Sequence, residues 1–138
     1  MKKFFAIALA ILVVFASGCV SSGLKFKECK LQHPKIREDQ MTSLWINVEN
    51  NENDAKNVQL VFVYPDDVTV ERNGEKIKSF NITLEPNGAT SGRKEFSVYG
   101  DYIEGQPSTP WDIVVQMYSD GELIKECKQT ITIMPKTQ

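Results

Sequence analysis

The stretch VQLVFVYPDDVTVERNGEKI, residues 58–77, decides the fold. Its first part places an apolar residue at every second position: Val58, Leu60, Phe62 and Tyr64. A period of two puts these side chains on one face of an extended strand. The Pro-Asp-Asp run at residues 65–67 ends that strand. Asn73-Gly74 then favours a type I′ turn, because both residues tolerate positive φ, and predicts a hairpin that closes onto Ile77.

The same period continues on both sides of this stretch. Apolar residues alternate in five further segments: residues 44–48, 80–84, 96–98, 111–117 and 123–133. Polar or Gly- and Pro-rich turns separate these segments, and residues 100–110 form a longer loop. Seven or eight strands with a turn about every ten residues are typical of an immunoglobulin-like domain. We therefore predict that residues 24–138 form a single all-β, immunoglobulin-like antiparallel β-sandwich.

Three stretches of the chain resemble the immunoglobulin-like CARDB-type modules of archaeal and bacterial surface proteins. They are WINVENNENDAKNV at residues 45–58, ITLEPNG at 82–88 and WDIVVQMYSDG at 111–121. The shared features are a strand ending in Asn, an Ala-x-Asn-Val restart, a turn of the Leu-x-Pro-Gly kind and a late strand closing on Asp-Gly. The turn at residues 84–88 is one residue longer than the usual pattern. The resemblance covers residues 43–133 and implies a surface interaction module and an archaeal source.

The N-terminus has the anatomy of a secretory signal. Lys2 and Lys3 precede thirteen apolar residues, which are too few for a permanent membrane-spanning helix of about 20 residues. The Ala-Ser-Gly run at 16–18, directly before Cys19, resembles the lipobox of prokaryotic lipoproteins, although that family prefers Leu where this chain has Ala16.

The lipobox resemblance implies that residues 1–18 are removed and that a membrane lipid is attached to the Cys19 sulfur. Residues 19–23 would then be a short lipidated tether that holds the domain on the extracytoplasmic face of the cell membrane. An uncleaved N-terminal helix and plain secretion are the two alternatives.

The chain has three cysteines, of which at most two can form a disulfide with each other. An exported chain with an odd number of cysteines leaves one over if two of them pair. Cys19 has the lipid role, so we expect a disulfide between Cys29 and Cys127, which lie in identical Lys-Glu-Cys-Lys stretches at the two ends of the predicted domain. Two reduced, buried thiols are the alternative. A single histidine and no Cys-x-x-Cys pair argue against a structural zinc site.

The residue types argue against nucleic acid and against catalysis. The chain has 16 Lys and Arg against 18 Asp and Glu, and no basic cluster of the kind that neutralises phosphates. His33 lies beside Pro34 without a partner, so nucleophilic catalysis lacks its base. We expect no enzyme activity and no cofactor. The carboxylates at Asp66-Asp67 and at Glu49, Glu52 and Asp54 leave a calcium site open, although such residues also end strands.

Two residues are candidates for surface roles. Trp45 projects away from the face that contains Leu44 and Ile46, and with Val61 or Val63 beside it the indole would form part of a binding surface. The alternative is that a loop, such as residues 100–110, covers it. Asn81 begins a glycosylation sequon on the outward phase of its strand.

These observations predict a non-catalytic binding or structural module of the cell envelope. Its expected partner is another envelope protein or a surface polymer. The alternatives are an extracytoplasmic protein that binds a small ligand or metal ion, and a hydrolase with an unfamiliar site.

Overall fold

The computed structural model describes residues 23–136, and this part of the chain folds into β-strands without a helix. The strands are β1 (Leu24–Leu31), β2 (Lys35–Arg37), β3 (Thr42–Asn50), β4 (Lys56–Val63), β5 (Val68–Arg72), β6 (Glu75–Lys76), β7 (Ser79–Leu84), β8 (Ala89–Thr90), β9 (Lys94–Gly100), β10 (Thr109–Ser119) and β11 (Glu122–Met134). Eight of these eleven strands have five or more residues. The prediction of an all-β domain with seven or eight main strands is confirmed.

The strands form two sheets that pack face to face. Sheet A has the order β1-β3-β9-β5-β6, with β8 paired to β3, and sheet B has the order β2-β11-β10-β4-β7. Neighbouring strands are antiparallel except β2, which runs parallel to the end of β11. The first two strands lie in different sheets, so the chain crosses between the sheets at its start. This architecture is the predicted immunoglobulin-like sandwich.

The core lies between the sheets and is built by the alternation that the sequence shows. β3 buries every second residue from Thr42 to Asn50, and β4 does the same from Val58 to Phe62. Phe62 of sheet B meets Phe96 of sheet A with ring centroids 4.9 Å apart. Large side chains buried in this way stabilise the fold by about 1.5–3 kcal/mol each.

Two predicted turns join neighbouring strands in the structure. Asn73 and Gly74 have φ values of 55° and 81° between β5 and β6, and the Ile77 N–H donates to the Val70 carbonyl at 2.8 Å. Asp120 and Gly121, with φ values of 53° and 78°, join β10 to β11. Positive φ at both positions is what a type I′ turn requires, so the hairpin prediction at residues 73–74 is confirmed.

A disulfide joins the two sheets. The sulfur atoms of Cys29 on β1 and Cys127 on β11 are 2.05 Å apart, and the two residues are separated by 98 positions in the chain. The predicted pairing is therefore present.

The described chain begins at a tightly held glycine. The Gly23 N–H donates to Glu52 Oε2 at 2.7 Å, and the Gly23 carbonyl accepts from the Asn51 N–H at 3.0 Å. A Cβ atom at Gly23 would lie 2.9 Å from the Asn51 carbonyl carbon, so the site has no room for a side chain. Gly23 therefore fixes the start of the domain beside the β3–β4 turn.

The predicted signal, residues 1–18, and the lipid attachment at Cys19 lie outside the described residues. Within residues 23–136 the structure contains no helix of the length and apolarity needed to cross a membrane.

Candidate binding surfaces

An uncharged surface covers most of the outer side of sheet B. Gln59 of β4 lies opposite Asn81 of β7, and Val61 lies opposite Gln116 of β10, so their outward side chains are neighbours. We name this surface the neutral face. Its side chains are Ser79, Asn81 and Thr83 on β7, Asn57, Gln59, Val61 and Val63 on β4, and Val114, Gln116 and Tyr118 on β10. A patch without charge is typical of the centre of a protein interface.

Charged side chains border the neutral face at β11. The Tyr118 hydroxyl donates to Gln116 Oε1 at 3.3 Å, and Gln116 Nε2 donates to Glu126 Oε2 at 2.9 Å. Farther along this border of the neutral face, Lys128 Nζ lies 3.5 Å from Asp112 Oδ2. A neutral centre with a charged rim is the arrangement that interfaces commonly show.

A shallow depression of about 290 Å³ lies at the end of the neutral face nearest the β10–β11 turn. Asn57, Gln59 and Asn81 contribute amides to its lining, and Thr83 and Tyr118 contribute hydroxyls. The Thr83 hydroxyl donates to Asn57 Oδ1 at 2.9 Å. Asp120 is the charged residue of this lining, and the other donors and acceptors are neutral, so the depression suits a ligand that presents mainly uncharged polar groups.

β7 is the open edge of sheet B. The Phe62 N–H of β4 donates to the Lys78 carbonyl at 2.9 Å. Hydrogen-bonded pairs recur at every second residue of an antiparallel ladder, so the even-numbered residues of β7 bond to β4. The main-chain groups of Ser79, Asn81 and Thr83 therefore point away from the sheet.

The edges formed by β7 and β1 differ in how they are protected. β1 carries Lys25, Lys27 and Lys30, has a register shift between Phe26 and Glu28, and is bonded to β11 by the disulfide. Charges, bulges and covalent closure are the means by which edge strands avoid unwanted pairing. β7, with the sequence SFNITL, has no charge, no proline and no register shift. Of these two edge strands, β1 is protected and β7 is left able to pair.

The outer side of sheet A is charged instead, and it is centred on Trp45. The Arg93 guanidinium carbon lies 4.0 Å from the centroid of the Trp45 ring, and Lys30 Nζ lies 5.7 Å from it. Arg93 also donates to both carboxylate oxygens of Glu28, at 2.9 and 3.0 Å. Trp45 Nε1 donates to Glu95 Oε2 at 3.3 Å. Trp45 is half-buried beneath cations of its own chain, an arrangement that stabilises both partners.

The sequence-based pairing of Trp45 with Val61 or Val63 is wrong. Trp45 lies on β3 in sheet A and the two valines lie on β4 in sheet B, so their outward side chains are on opposite surfaces. The loop at residues 100–110, which was the alternative cover for Trp45, contacts Trp111 instead. Trp111 Nε1 donates to the Asp101 carbonyl at 2.8 Å. A binding role for Trp45 stays a prediction.

The Glu95 carboxylate should make the environment of Trp45 sensitive to pH. Hydrogen bonds from Ser43 and then Trp45 lower the pKa of Glu95 below its usual value, with a smaller contribution from Arg93. A carboxyl whose pKa is lowered on folding stabilises the folded protein above its usual pKa, and that contribution is lost as pH falls through the lowered pKa.

We therefore expect Trp45 fluorescence, measured in a Trp111→Phe background, to change with a midpoint below the usual glutamate pKa. The Glu95→Gln variant should show no such transition. A midpoint at or above the usual value would contradict the assignment.

The remaining predicted site residues are dispersed. Asn81 is exposed in the middle of β7, and its glycosylation stays a prediction. His33 is exposed, and its main-chain N–H donates to Thr42 Oγ1 at 2.9 Å.

Two of the carboxylates considered for calcium have partners in the protein. Glu49 Oε1 lies 3.9 Å from Lys25 Nζ, and Glu52 Oε2 accepts a hydrogen bond from the Gly23 N–H. Among residues 23–136 no three Asp, Glu, His or Cys side chains are close enough to hold a metal ion, so the calcium hypothesis gains no support.

Comparison with known proteins shows similarity at the level of structure. No protein-family model and no curated protein sequence matches the chain. A FixG-related protein from Vibrio parahaemolyticus is 15% identical, with 70% of this chain and 80% of that chain covered, at a TM-score of 0.46. A PapD-like domain of human CEP192 is 11% identical, with 86% and 88% covered, at a TM-score of 0.47. The periplasmic chaperone SfaE is 11% identical, with 80% and 58% covered, at a TM-score of 0.45. These likenesses concern the fold alone.

Proposed function

We propose that this protein is a non-catalytic binding module of the cell envelope that is anchored to the membrane by a lipid on Cys19. The neutral face carries this proposal. A quarter of all residues in the chain are charged, yet ten neighbouring outward side chains on three strands are not. A partner can cover such a surface without desolvating a charge, provided that it forms hydrogen bonds with the amides and hydroxyls.

The short tether supports a fixed orientation of the domain on the membrane. Three residues separate Cys19 from Gly23, so the two Cα atoms are at most roughly 14 Å apart. Gly23 is held at the β3–β4 turn, so that end of the sandwich would face the membrane. The neutral face would then begin near the membrane at Asn57 and extend away from it to Val63, where another envelope protein or a surface polymer can reach it. The CARDB-type resemblance is in keeping with this role, and the archaeal source stays a prediction.

A second candidate function is the binding of an uncharged polar small ligand. The depression beside Tyr118 favours it, because its amides and hydroxyls offer neutral donors and acceptors. A small ligand would protect only the residues of the depression, whereas a macromolecule would also cover Val61 and Val63 at the other end of the neutral face. Hydrogen exchange in native envelope extract separates the two patterns.

The anchor is tested by the intact mass of protein purified from native membranes. We expect a mass that begins at Cys19, includes a lipid, and rises by about 2 Da when the Cys29–Cys127 bond is reduced. A mass that retains residues 1–18, or one without lipid, would overturn the anchor.

The neutral face is tested by placing a charge on it. Val63 is 48% exposed, so Val63→Lys should leave the free energy of unfolding within about 0.5 kcal/mol of the wild type. We expect it to reduce cross-linking to envelope partners in intact cells by at least about tenfold, since a buried unpaired charge is costly. Thr130→Lys is the matched control, because Thr130 is an exposed β11 residue outside the neutral face. If Val63→Lys were cross-linked to envelope partners as strongly as Thr130→Lys, the proposal would be contradicted.

A further inference from the structure

We propose that two copies of this chain pair through β7 in antiparallel register and join their five-stranded B sheets into one continuous sheet. The proposal goes beyond the proposed function, because its contact is the main-chain edge of β7 and its partner is a second copy of the same chain. Three properties of β7 support it: the direction of its free main-chain groups, the order of its side chains and the charges at its ends.

The free main-chain groups set the register. Ser79, Asn81 and Thr83 point their N–H and C=O groups away from β4, as the Phe62 to Lys78 hydrogen bond establishes. An added antiparallel strand bonds to residues of this phase. If Asn81 faces Asn81 of the second copy, Ser79 faces Thr83 and Thr83 faces Ser79. All three exposed residues then form hydrogen-bonded pairs, and the contact obeys the two-fold symmetry that is commonest in homo-oligomers.

The side chains agree with this register. On the outer side, the hydroxyls of Ser79 and Thr83 become cross-strand neighbours and the two Asn81 amides meet at the axis. On the inner side, Phe80 lies opposite Ile82, which is one of the favoured aromatic and β-branched pairs. Phe80 and Ile82 are only half-buried in the single chain, and Phe80 packs edge-on against Phe96 at 5.5 Å. The Arg72 guanidinium carbon lies 4.9 Å from the centroid of the Phe80 ring, and pairing would bury more of both β7 side chains.

The charges at the ends of β7 favour a second copy over an unrelated strand. Lys76 and Lys78 precede β7, and Glu85 follows it, with six uncharged residues between. A complementary antiparallel strand needs an acidic group near the lysines, a basic group near Glu85 and a neutral centre. β7 of a second copy has this order, because antiparallel pairing brings the lysine end of each copy to the Glu85 end of the other.

The pairing has a consequence for lipid-anchored copies. Gly23 lies at the Leu84 end of β7, because both Gly23 and the turn after β7 bond to Glu52. Antiparallel pairing therefore puts the two N-termini at opposite ends of the joined sheet. If the strands stand along the membrane normal, as in the orientation proposed above, tethers of at most roughly 14 Å keep copies on one membrane from adopting this arrangement, whereas copies on two facing membranes can. The proposed pair thus links membranes, and this part depends on the anchor proposed above.

Charge-swapped variants of the unglycosylated full chain test the register. Ser79→Lys with Thr83→Lys places lysines opposite lysines in the proposed pair, and Ser79→Glu with Thr83→Glu places carboxylates opposite carboxylates. Both positions are exposed, so the single chains should fold normally. We expect wild type to form dimers that increase with concentration in analytical ultracentrifugation, and each double variant to dimerise at least about tenfold more weakly. An equimolar mixture of the two variants should recover dimers at or above the wild-type level, because opposite charges then face each other.

Asn81→Pro and Asn81→Gln provide a second comparison. The Asn81 N–H points away from β4, so proline is tolerated in the single chain but blocks the added strand. Glutamine removes the same sequon and should leave pairing intact. Circular dichroism checks that both variants fold.

Wild type that stays monomeric, lysine or glutamate variants that pair like wild type, or a mixture that recovers nothing would each overturn the proposal. None of these outcomes bears on the lipid at Cys19, which the intact mass tests separately. The membrane consequence is checked with phosphatidylcholine vesicles that carry the lipidated chain. We expect wild-type vesicles to cluster and Asn81→Pro vesicles to stay dispersed, and equal dispersion of both would overturn the membrane link.

Discussion

Replacing Cys29 and Cys127 together with alanine is expected to lower the free energy of unfolding by about 4 to 5 kcal/mol. The disulfide closes a loop between residues that are 98 positions apart, and a cross-link of that length removes much of the conformational freedom of the unfolded chain. It also joins β1, which is hydrogen-bonded only to β3 in sheet A, to β11 of sheet B. Without it, the hydrogen bond from the Leu31 N–H to Gln129 Oε1, at 3.3 Å, remains between β1 and sheet B, so we expect β1 to open before the rest of the domain.

Urea denaturation followed by circular dichroism measures this effect on the purified chain. Wild type treated with a reductant should unfold at the same urea concentration as the double variant. Cys19→Ser is the control, since it removes a cysteine without touching the bridge, and it should unfold like the oxidised wild type. If the double variant matched the oxidised wild type, the bridge would add nothing to stability.

Asn50→Asp is expected to lower the free energy of unfolding by at least about 3 kcal/mol. Asn50 is fully buried at the end of β3. Its amide donates to the carbonyls of Asp54, Leu84 and Glu85 at 2.9, 3.4 and 3.1 Å, and its oxygen accepts from the Glu52 N–H at 2.9 Å. A carboxylate has nearly the same shape but no donor, so it would face three carbonyl oxygens as a buried charge.

Asn53→Asp is the matched control, because Asn53 is exposed in the same turn and the chemical change is identical. It should alter stability by less than about 0.5 kcal/mol. The destabilisation of Asn50→Asp should also shrink below the carboxyl pKa, where the protonated group regains one donor. Equal stability of the two variants at neutral pH would show that the amide of Asn50 does not hold the turns together.

Several features of the domain follow from short segments of sequence. The alternation around Leu60 and Phe62 and the turn at Asn73-Gly74 depend on local backbone geometry, and both predictions are confirmed. The Cys29–Cys127 pairing followed from counting cysteines in an exported chain. The strand that ends in Asn50 was noticed as a motif, but only the structure shows that its amide holds two neighbouring turns.

Other features depend on which strands become neighbours. The Trp45 hypothesis was wrong about Val61 and Val63 because consecutive strands β3 and β4 enter different sheets. The neutral face was missed for the same reason. Its signal is visible in the absence of charge at the outward positions of residues 57–63, 79–83 and 114–118, yet these segments are far apart in the chain.

The sequence by itself determined that this protein is a β-sandwich, where its strands lie and which side of each strand faces the core. These properties depend on a period of two and on turn residues, which act over a few positions. Only the tertiary structure decided which strands share a sheet, and with that the neutral face on β7, β4 and β10, the open edge at β7 and the cover of cations over Trp45. Strand order depends on contacts between distant segments, and no local pattern specifies which segment a given strand will meet.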